Sequence, residues 1–209
     1  PESQISGSPS DVNKQNTASA TYDFNTGLVK TSTDANERIS QTTYDLSTLR
    51  PLSEIFPTGA YTSHIYDDVA RTVKDYVFEV GRVDPNYASR VDKSLDGKGR
   101  LIKEVSFGKA GAQDIVEMKY DQLGRPSQQS RPYRAGMTPL WSTVTYDFLD
   151  RPVQNTAPDN SVVTRSYNQP DPPGSSGQPG ETIKVTDPWG RERWARSDAL
   201  GRMVEVAEP

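Results

Sequence analysis

The chain has 209 residues, a formal net charge of −4, one histidine and no cysteine. These values exclude disulfides and thiolate metal sites, offer no basic surface for nucleic acid, and leave no apolar run near the ~18 residues of a membrane-spanning helix. Only 33% of residues are hydrophobic, against ~45–50% in ordinary globular chains counted with Gly. With 15 Gly, 16 Pro and 10 Tyr, the composition points to short strands joined by many turns. The length suits one large domain or two small ones. The first residue is Pro1 and no signal peptide precedes it, so the sequence is expected to be a piece of a longer protein whose export signal lies elsewhere.

Residues 1–20 are polar and are expected to be a linker or a loose strand, with a repeat array over 21–209. The array begins at Tyr22-Asp23, which recurs as Tyr44-Asp45 and Tyr66-Asp67, each 22 residues on. Asp34 and Phe56 fall halfway, so the step is 11 residues. A strand of six or seven residues plus a reversal fills that step, and two steps make a hairpin. Beyond Asp67 the spacing loosens. Asp84 to Val91 has room for one helical turn. Asp96-Gly97-Lys98-Gly99-Arg100 and Tyr120-Asp121-Gln122-Leu123-Gly124-Arg125 restate the phrase, and Arg131 to Met137 reads as an elongated loop. Tyr146-Asp147 with Arg151, Ala157-Pro158-Asp159-Asn160 and Tyr167-Asn168 resume the register. Asn168 opens a Pro- and Gly-rich loop to Gly180. The chain closes with Asp187-Pro188-Trp189-Gly190-Arg191 and Asp198-Ala199-Leu200-Gly201-Arg202.

The physics of the phrase is a chain reversal. Asp at the first position accepts bonds from backbone amides two or three residues on, and Pro at the second pre-sets φ. Gly at the fourth takes a left-handed conformation without steric cost. Phe56-Pro57-Thr58-Gly59 keeps this frame without Asp, Asn160 stands in for Gly, and Gly27 is the turn glycine after Asp23. The turns at Asp45, Asp67 and Asp147 lack Gly at the fourth position, which leaves their geometry open.

Other chemistry is weighed against this reading. Paired carboxylates could do acid–base work, but a catalytic pair occurs once, whereas these aspartates recur at every reversal and are expected to cap turns. His64, near Ser63 and Asp67, could complete a triad, yet no Gly-x-Ser-x-Gly elbow exists. Gly174 to Gly180 lacks the Lys-Ser/Thr ending of a phosphate loop. Asp67-Asp68 and Asp34 to Glu37 lack the ligand count of a calcium loop. The repeat tyrosines could bind glycan, but stacking of equivalent rings between hairpins is the expected role, worth ~0.2–1 kcal/mol per cross-strand pair. Trp141, Trp189 and Trp194 lie outside that series and are the candidate ligand-facing residues. Arg100, Arg125, Arg151, Arg191 and Arg202 follow their turns and are expected to bridge to acidic neighbours.

Tyr-Asp-x-x-Gly-Arg at hairpin spacing resembles the YD-repeat, or Rhs-repeat, family of bacterial Rhs proteins, insecticidal toxin complex C subunits and teneurins. The likeness rests on TYDFNTGLVKTSTDANERISQTTYD and VTDPWGRERWARSDALGRMVEV and covers roughly Thr21 to Val206. It implies an all-β array of antiparallel hairpins forming one curved, spiralling sheet, part of a β-shell. It further implies a structural, non-catalytic role without cofactor or metal, in a secreted or cell-surface bacterial protein whose shell encloses a C-terminal toxin or other cargo. The alternative is an extracellular adhesion or carbohydrate-binding scaffold. Neighbouring repeats of the parent chain are the expected partners, with self-association through free sheet edges; nucleic acid and membrane insertion are not. The resemblance also implies, in many toxin members, an aspartyl autoprotease that cuts the cargo free and is marked by paired Asp-Pro-x-Gly-Leu motifs with an Asn-x-Tyr-x-Tyr stretch between them. Here Asp187-Pro188-Trp189-Gly190 is followed by Arg191, so self-cleavage is not expected.

Overall fold

The computed structural model of the protein describes residues 2–6, 16–108, 111–171, 174 and 179–208. It divides into two compact units, Pro1–Ile115 and Val116–Pro209. Both are all-β and built the same way: each strand pairs antiparallel with the next along the chain.

The first unit contains β1 (Glu2–Ser6), β2 (Asn16–Tyr22), β3 (Val29–Thr33), β4 (Ile39–Tyr44), β5 (Pro51–Ile55), β6 (Tyr61–Asp67), β7 (Thr72–Phe78), β8 (Ser89–Leu95) and β9 (Leu101–Phe107). Their ladders run unbroken from β1–β2 to β8–β9. The second unit is the meander β10 (Gln113–Tyr120), which starts just before the boundary, β11 (Pro126–Ser130), β12 (Trp141–Tyr146), β13 (Pro152–Thr156), β14 (Val162–Tyr167), β15 (Glu181–Thr186), β16 (Glu192–Ser197) and β17 (Met203–Ala207). Strand β2 starts at Asn16, so the array takes in part of the polar stretch at 1–20; residues 7–15 of that stretch lie outside the described residues. A 3-10 helical turn at Pro85–Tyr87 fills the expected place, with the Asp84 carboxylate accepting from the Asn86 amide at 2.9 Å.

Among the described apolar residues only Phe78 and Ile115 are buried, at 5% and 6% exposure. With so little apolar core, cohesion falls to the backbone ladders, cross-strand side-chain pairs and turns. In the first unit, Thr21 and Thr43 meet Thr31 and Ser53 hydroxyl to hydroxyl at 2.6 and 2.7 Å. Tyr61 stacks on Phe78 at 4.3 Å, and the Arg90 guanidinium lies 4.4 Å from the Phe107 ring.

A meander places successive turns on alternate rims of its sheet. In the first unit the turns after β2, β4, β6 and β8 share one rim, and those after β3, β5 and β7 the other. In the second, turns after β10, β12, β14 and β16 share one rim, and those after β11, β13 and β15 the other. The Tyr-Asp phrases all fall on the first-named rim, here called the tyrosine rim.

Candidate functional site

The repeated element is the turn. Among the described residues, eight reversals share one five-residue frame: 34–38, 56–60, 96–100, 121–125, 147–151, 157–161, 187–191 and 198–202. At 96–100, the Gly99 amide donates to the Asp96 carbonyl at 3.0 Å and the Asp96 amide to the Arg100 carbonyl at 2.8 Å. This is a type I turn followed by a left-handed residue, a reversal whose twist suits a hairpin. The left-handed position is Gly59, Gly99, Gly124, Gly190 or Gly201 in five turns, Asn160 in one, and Glu37 and Asp150 in the others. The Asp147 turn therefore keeps the five-residue frame without Gly. The turns at Asp23, Asp45 and Asp67 are one residue longer, with Gly27, Leu49 and Arg71 left-handed at φ 70°, 60° and 53°.

In six of the five-residue turns the first residue is Asp and the last is Arg, and the two lock together. Asp96 Oδ1 accepts the Lys98 and Arg100 backbone amides at 2.8 and 3.0 Å, while Oδ2 accepts Arg100 Nε at 2.8 Å. Asp34–Arg38, Asp121–Arg125, Asp147–Arg151, Asp187–Arg191 and Asp198–Arg202 repeat the pairing, with Nε to Oδ2 between 2.6 and 2.8 Å. The Arg100 amide and then its guanidinium hold the Asp96 carboxyl down at about 2. At Asp121, Asp147 and Asp187 partial burial pushes upward, but the arginine amide and guanidinium outweigh it and the carboxyls sit below their ordinary range.

On the tyrosine rim these turns are also tied to one another, by a clasp of the same three parts each time. Tyr146 donates its hydroxyl to the Pro126 carbonyl at 2.7 Å, and its ring carries the Arg125 guanidinium at 4.6 Å. Arg125 Nη1 then reaches Asp150 in the next turn at 2.7 Å. Tyr167 bonds the Pro152 carbonyl at 2.9 Å beneath Arg151, which lies 4.2 Å from the ring and reaches Glu181 at 3.1 Å. In the first unit Tyr66 bonds the Pro51 carbonyl at 3.0 Å beneath Arg50, at 5.2 Å, and Arg50 pairs with Asp68 at 2.6 Å. The expected ring-on-ring stacking is thus replaced at these three tyrosines by guanidinium and carbonyl contacts, which satisfy both the ring face and the hydroxyl.

Proline suits its place in the clasp. Pro51, Pro126 and Pro152 start their strands, paired with Tyr44, Tyr120 and Tyr146 where the register shifts by a bulge. A residue without an N–H loses no ladder bond there, and its carbonyl stays open to the next tyrosine. The dipeptides Arg50-Pro51, Arg125-Pro126 and Arg151-Pro152 are plain in the sequence, but their link to a tyrosine 15 to 20 residues later is a property of the folded sheet.

The remaining candidates fall elsewhere. Pro57, Pro158 and Pro188 occupy the second position of turns on the opposite rim. Asn168, left-handed at φ 53°, opens the long loop and donates to the Thr182 carbonyl at 2.8 Å. Asp171, in the same loop, pairs with the buried Arg196; residues 172–173 and 175–178, most of the phosphate-loop candidate, lie outside the described residues. His64 Nδ1 contacts Asp75 Oδ1 at 2.7 Å, and Lys93 Nζ holds Asp75 Oδ2 at 2.7 Å. Burial works to raise the Asp75 carboxyl, but these bonds bring it below its ordinary range. Ser63 and Asp67 sit at odd offsets from His64 on β6, so their side chains leave the opposite face and no triad assembles. Asp67 caps the Ala70 amide at 2.8 Å and Asp34 is engaged by Arg38. No group of three metal-ligating side chains occurs among the described residues.

The three tryptophans do not converge. Trp141 on β12 lies under Lys119, whose Nζ is 3.9 Å from the ring, and Trp194 on β16 has Lys184 at 5.5 Å. Trp189 sits exposed on a turn of the opposite rim with Arg191 at 5.1 Å. The recess beside Trp194 holds about 10 Å³, room for a single water rather than a sugar ring.

No protein-family model and no curated protein matches the chain. Solved structures do. A structure of TcdB2-TccC3 without its hypervariable C-terminal region aligns over 92% of this chain and 11% of that one, with a TM-score of 0.52 and 13% identity. A TcdB2-TccC3 structure aligns over 93% and 15%, at 0.43 and 13%. The Photorhabdus luminescens Tc holotoxin pore aligns over 93% and 14%, at 0.43 and 12%. The chain therefore spans between 11% and 15% of the chains it is similar to. The first of these likenesses shows the fold: the array of antiparallel hairpins read from the turn phrase is an architecture that the TcdB2-TccC3 chain also uses.

Proposed function

We propose that this chain is a non-catalytic wall segment of a larger secreted or cell-surface YD-repeat protein. In that protein the hairpin array extends into a shell around a toxin or other cargo. The observation that carries this reading is the hairpin array in which three tyrosines of one rim, Tyr66, Tyr146 and Tyr167, clasp a turn to its neighbour. Such a sheet gains stability hairpin by hairpin rather than from a core, so it can extend indefinitely. It presents two faces, one for a lumen and one for solvent, and closing it on itself removes its edges. The fold shared with a toxin-complex chain, over a small part of that chain's length, supports the same reading. Among the described residues, the candidates for other chemistry (His64, Asp34 and Asp67) are held in turns and cross-strand pairs, and steric isolation is the mechanism proposed.

Electron microscopy of the full-length protein containing this chain tests the proposal. A closed hollow particle with density inside is the expected result. An open sheet or rod with nothing enclosed would overturn it and return attention to an adhesion scaffold.

A further inference from the structure

The tyrosine rim of the second unit has one place where the clasp lacks its parts. After Tyr120, Tyr146 and Tyr167, the next aspartate phrase on that rim is Ser197-Asp198, with serine where the tyrosine would stand. The chain enters β15 through Gly180-Glu181, with neither arginine nor proline. Instead the backbones approach closely: a Cβ on Gly180 would lie 2.3 Å from the Ser197 carbonyl oxygen. The long reversal after β14 and the turn at 198–202 therefore need another tie.

A buried arginine supplies one from the other side of the sheet. Thr182, Arg196 and Glu205 are direct partners across β15, β16 and β17, so they share a face. Tyr167 pairs with Ile183, the neighbour of Thr182, which puts the tyrosines on the opposite face. The start of the long loop, 168–171, folds back onto the Thr182 side. The Asn168 amide donates to the Thr182 carbonyl at 2.8 Å, and the Thr182 hydroxyl donates to the Gln169 carbonyl. Arg196 Nη2 donates to the Asp171 carboxylate, while its Nε donates to Glu205 at 3.0 Å. Arg196 is only 5% exposed and is the one buried charged side chain among the described residues, whereas Asp171 is 45% exposed. A guanidinium this deep is tolerated only while its carboxylates stay in place. Lifting the loop strips it of Asp171, and peeling β17 away strips it of Glu205. Each part thus keeps the other's partner satisfied.

We infer that Arg196 is a latch that stands in for the missing clasp, coupling the order of residues 168–171 to the order of the β16–β17 hairpin. The latch does not depend on the wall reading, because every contact in it lies within the second unit.

Hydrogen exchange of the 209-residue chain tests it, with the Asn168 amide reporting on the loop and the amides of β17 on the hairpin. Asp171→Asn should speed exchange in β17 about tenfold, although Asp171 lies outside that strand. Glu205→Gln should speed exchange at Asn168 by a like factor, since one coupling free energy acts in both directions. Thr182→Val removes only the hydroxyl bond to the loop and keeps every charge; it should move both readouts in the same direction by less. Exchange in β11, β12 and β13 should stay unchanged in all three variants. Variants that each loosen only their own element would overturn the latch, leaving two separate ion pairs. Fast exchange throughout the second unit would overturn it too, because Arg196 would then hold the whole unit rather than link two of its parts.

Discussion

The two units use one clasp with two turn lengths. In the second unit the tyrosine-rim turns at Asp121 and Asp147 are five residues long, and a single arginine serves three purposes. Arg125 grips its own Asp121, covers Tyr146 and reaches Asp150 of the next turn. In the first unit the turns at Asp45 and Asp67 are a residue longer. There Asp45 is satisfied locally by the Ser47 hydroxyl and amide at 2.7 and 2.8 Å, which leaves Arg50 free to cover Tyr66 and pair with Asp68. The element common to both is therefore not the Asp–Arg lock but the arginine and the following carbonyl beneath the next tyrosine. Turn length can vary so long as the chain leaves the turn with that arginine in place.

Removing the arginine should have the largest effect. Arg151→Ala strips Asp147 of its guanidinium, Tyr167 of its cover and Glu181 of its partner, and should lower the melting temperature of the chain by about 5 °C. Arg202→Ala removes an exposed lock from the turn before β17 and should cost a small fraction of that. Equal losses would show that the lock, not the clasp, holds the rim.

Backbone strain gives a smaller, two-sided test. Leu49 is left-handed at φ 60° where the second unit's last turn has Gly201 at φ 76°. Leu49→Gly should stabilise by about 1 kcal/mol, since a side chain in this conformation costs about 1–2 kcal/mol. Gly201→Ala should cost about as much; a Cβ there meets nothing within 4 Å, so the penalty is purely conformational. Denaturant titration reads both.

The tyrosine hydroxyl comes next. Tyr146→Phe keeps the ring under Arg125 but loses the 2.7 Å bond to Pro126, for about 1 kcal/mol. Tyr44 ends β4 in a similar register, but the preceding turn ends in Leu28 and Val29 rather than Arg-Pro, so Tyr44→Phe should change stability little.

Acid should loosen both units together. The carboxyls of Asp34, Asp45, Asp121, Asp147, Asp187 and Asp198 lie below their ordinary range in the folded state, with Asp96 at about 2. A depressed carboxyl contributes its full stabilisation above its unfolded value and loses it as pH falls through the folded one. Stability should therefore be level down to about pH 5 and decline between about pH 4 and 2, as circular dichroism would report.

Much of the fold was legible in the sequence because the turn is a local structure. The Asp-to-Gly frame, the left-handed fourth position and the 11-residue step each follow from a few adjacent residues, and so did the helical turn at Pro85–Tyr87. What escaped was non-local. Tyr167 contacts Pro152 and Arg151 across a strand pair, and nothing in the spacing alone distinguishes that from ring stacking. His64 finds Asp75 on the next strand rather than its neighbours Ser63 and Asp67, because alternation sends those to the other face. The longer turns at Asp45 and Asp67 were hidden because Leu49 and Arg71 take a conformation that their side chains disfavour.

The claim at the centre is that neighbouring hairpins are coupled through the clasp rather than through a core. A double-mutant cycle on Arg151 and Tyr167, with Arg151→Ala, Tyr167→Leu and the double variant compared by denaturant unfolding, tests it most directly. The account predicts that the two losses overlap, with a coupling energy of about 1 kcal/mol from the 4.2 Å ring contact. Losses that add to within about 0.3 kcal/mol would mean that the tyrosine and arginine act separately and that the rim is not a ladder of linked turns.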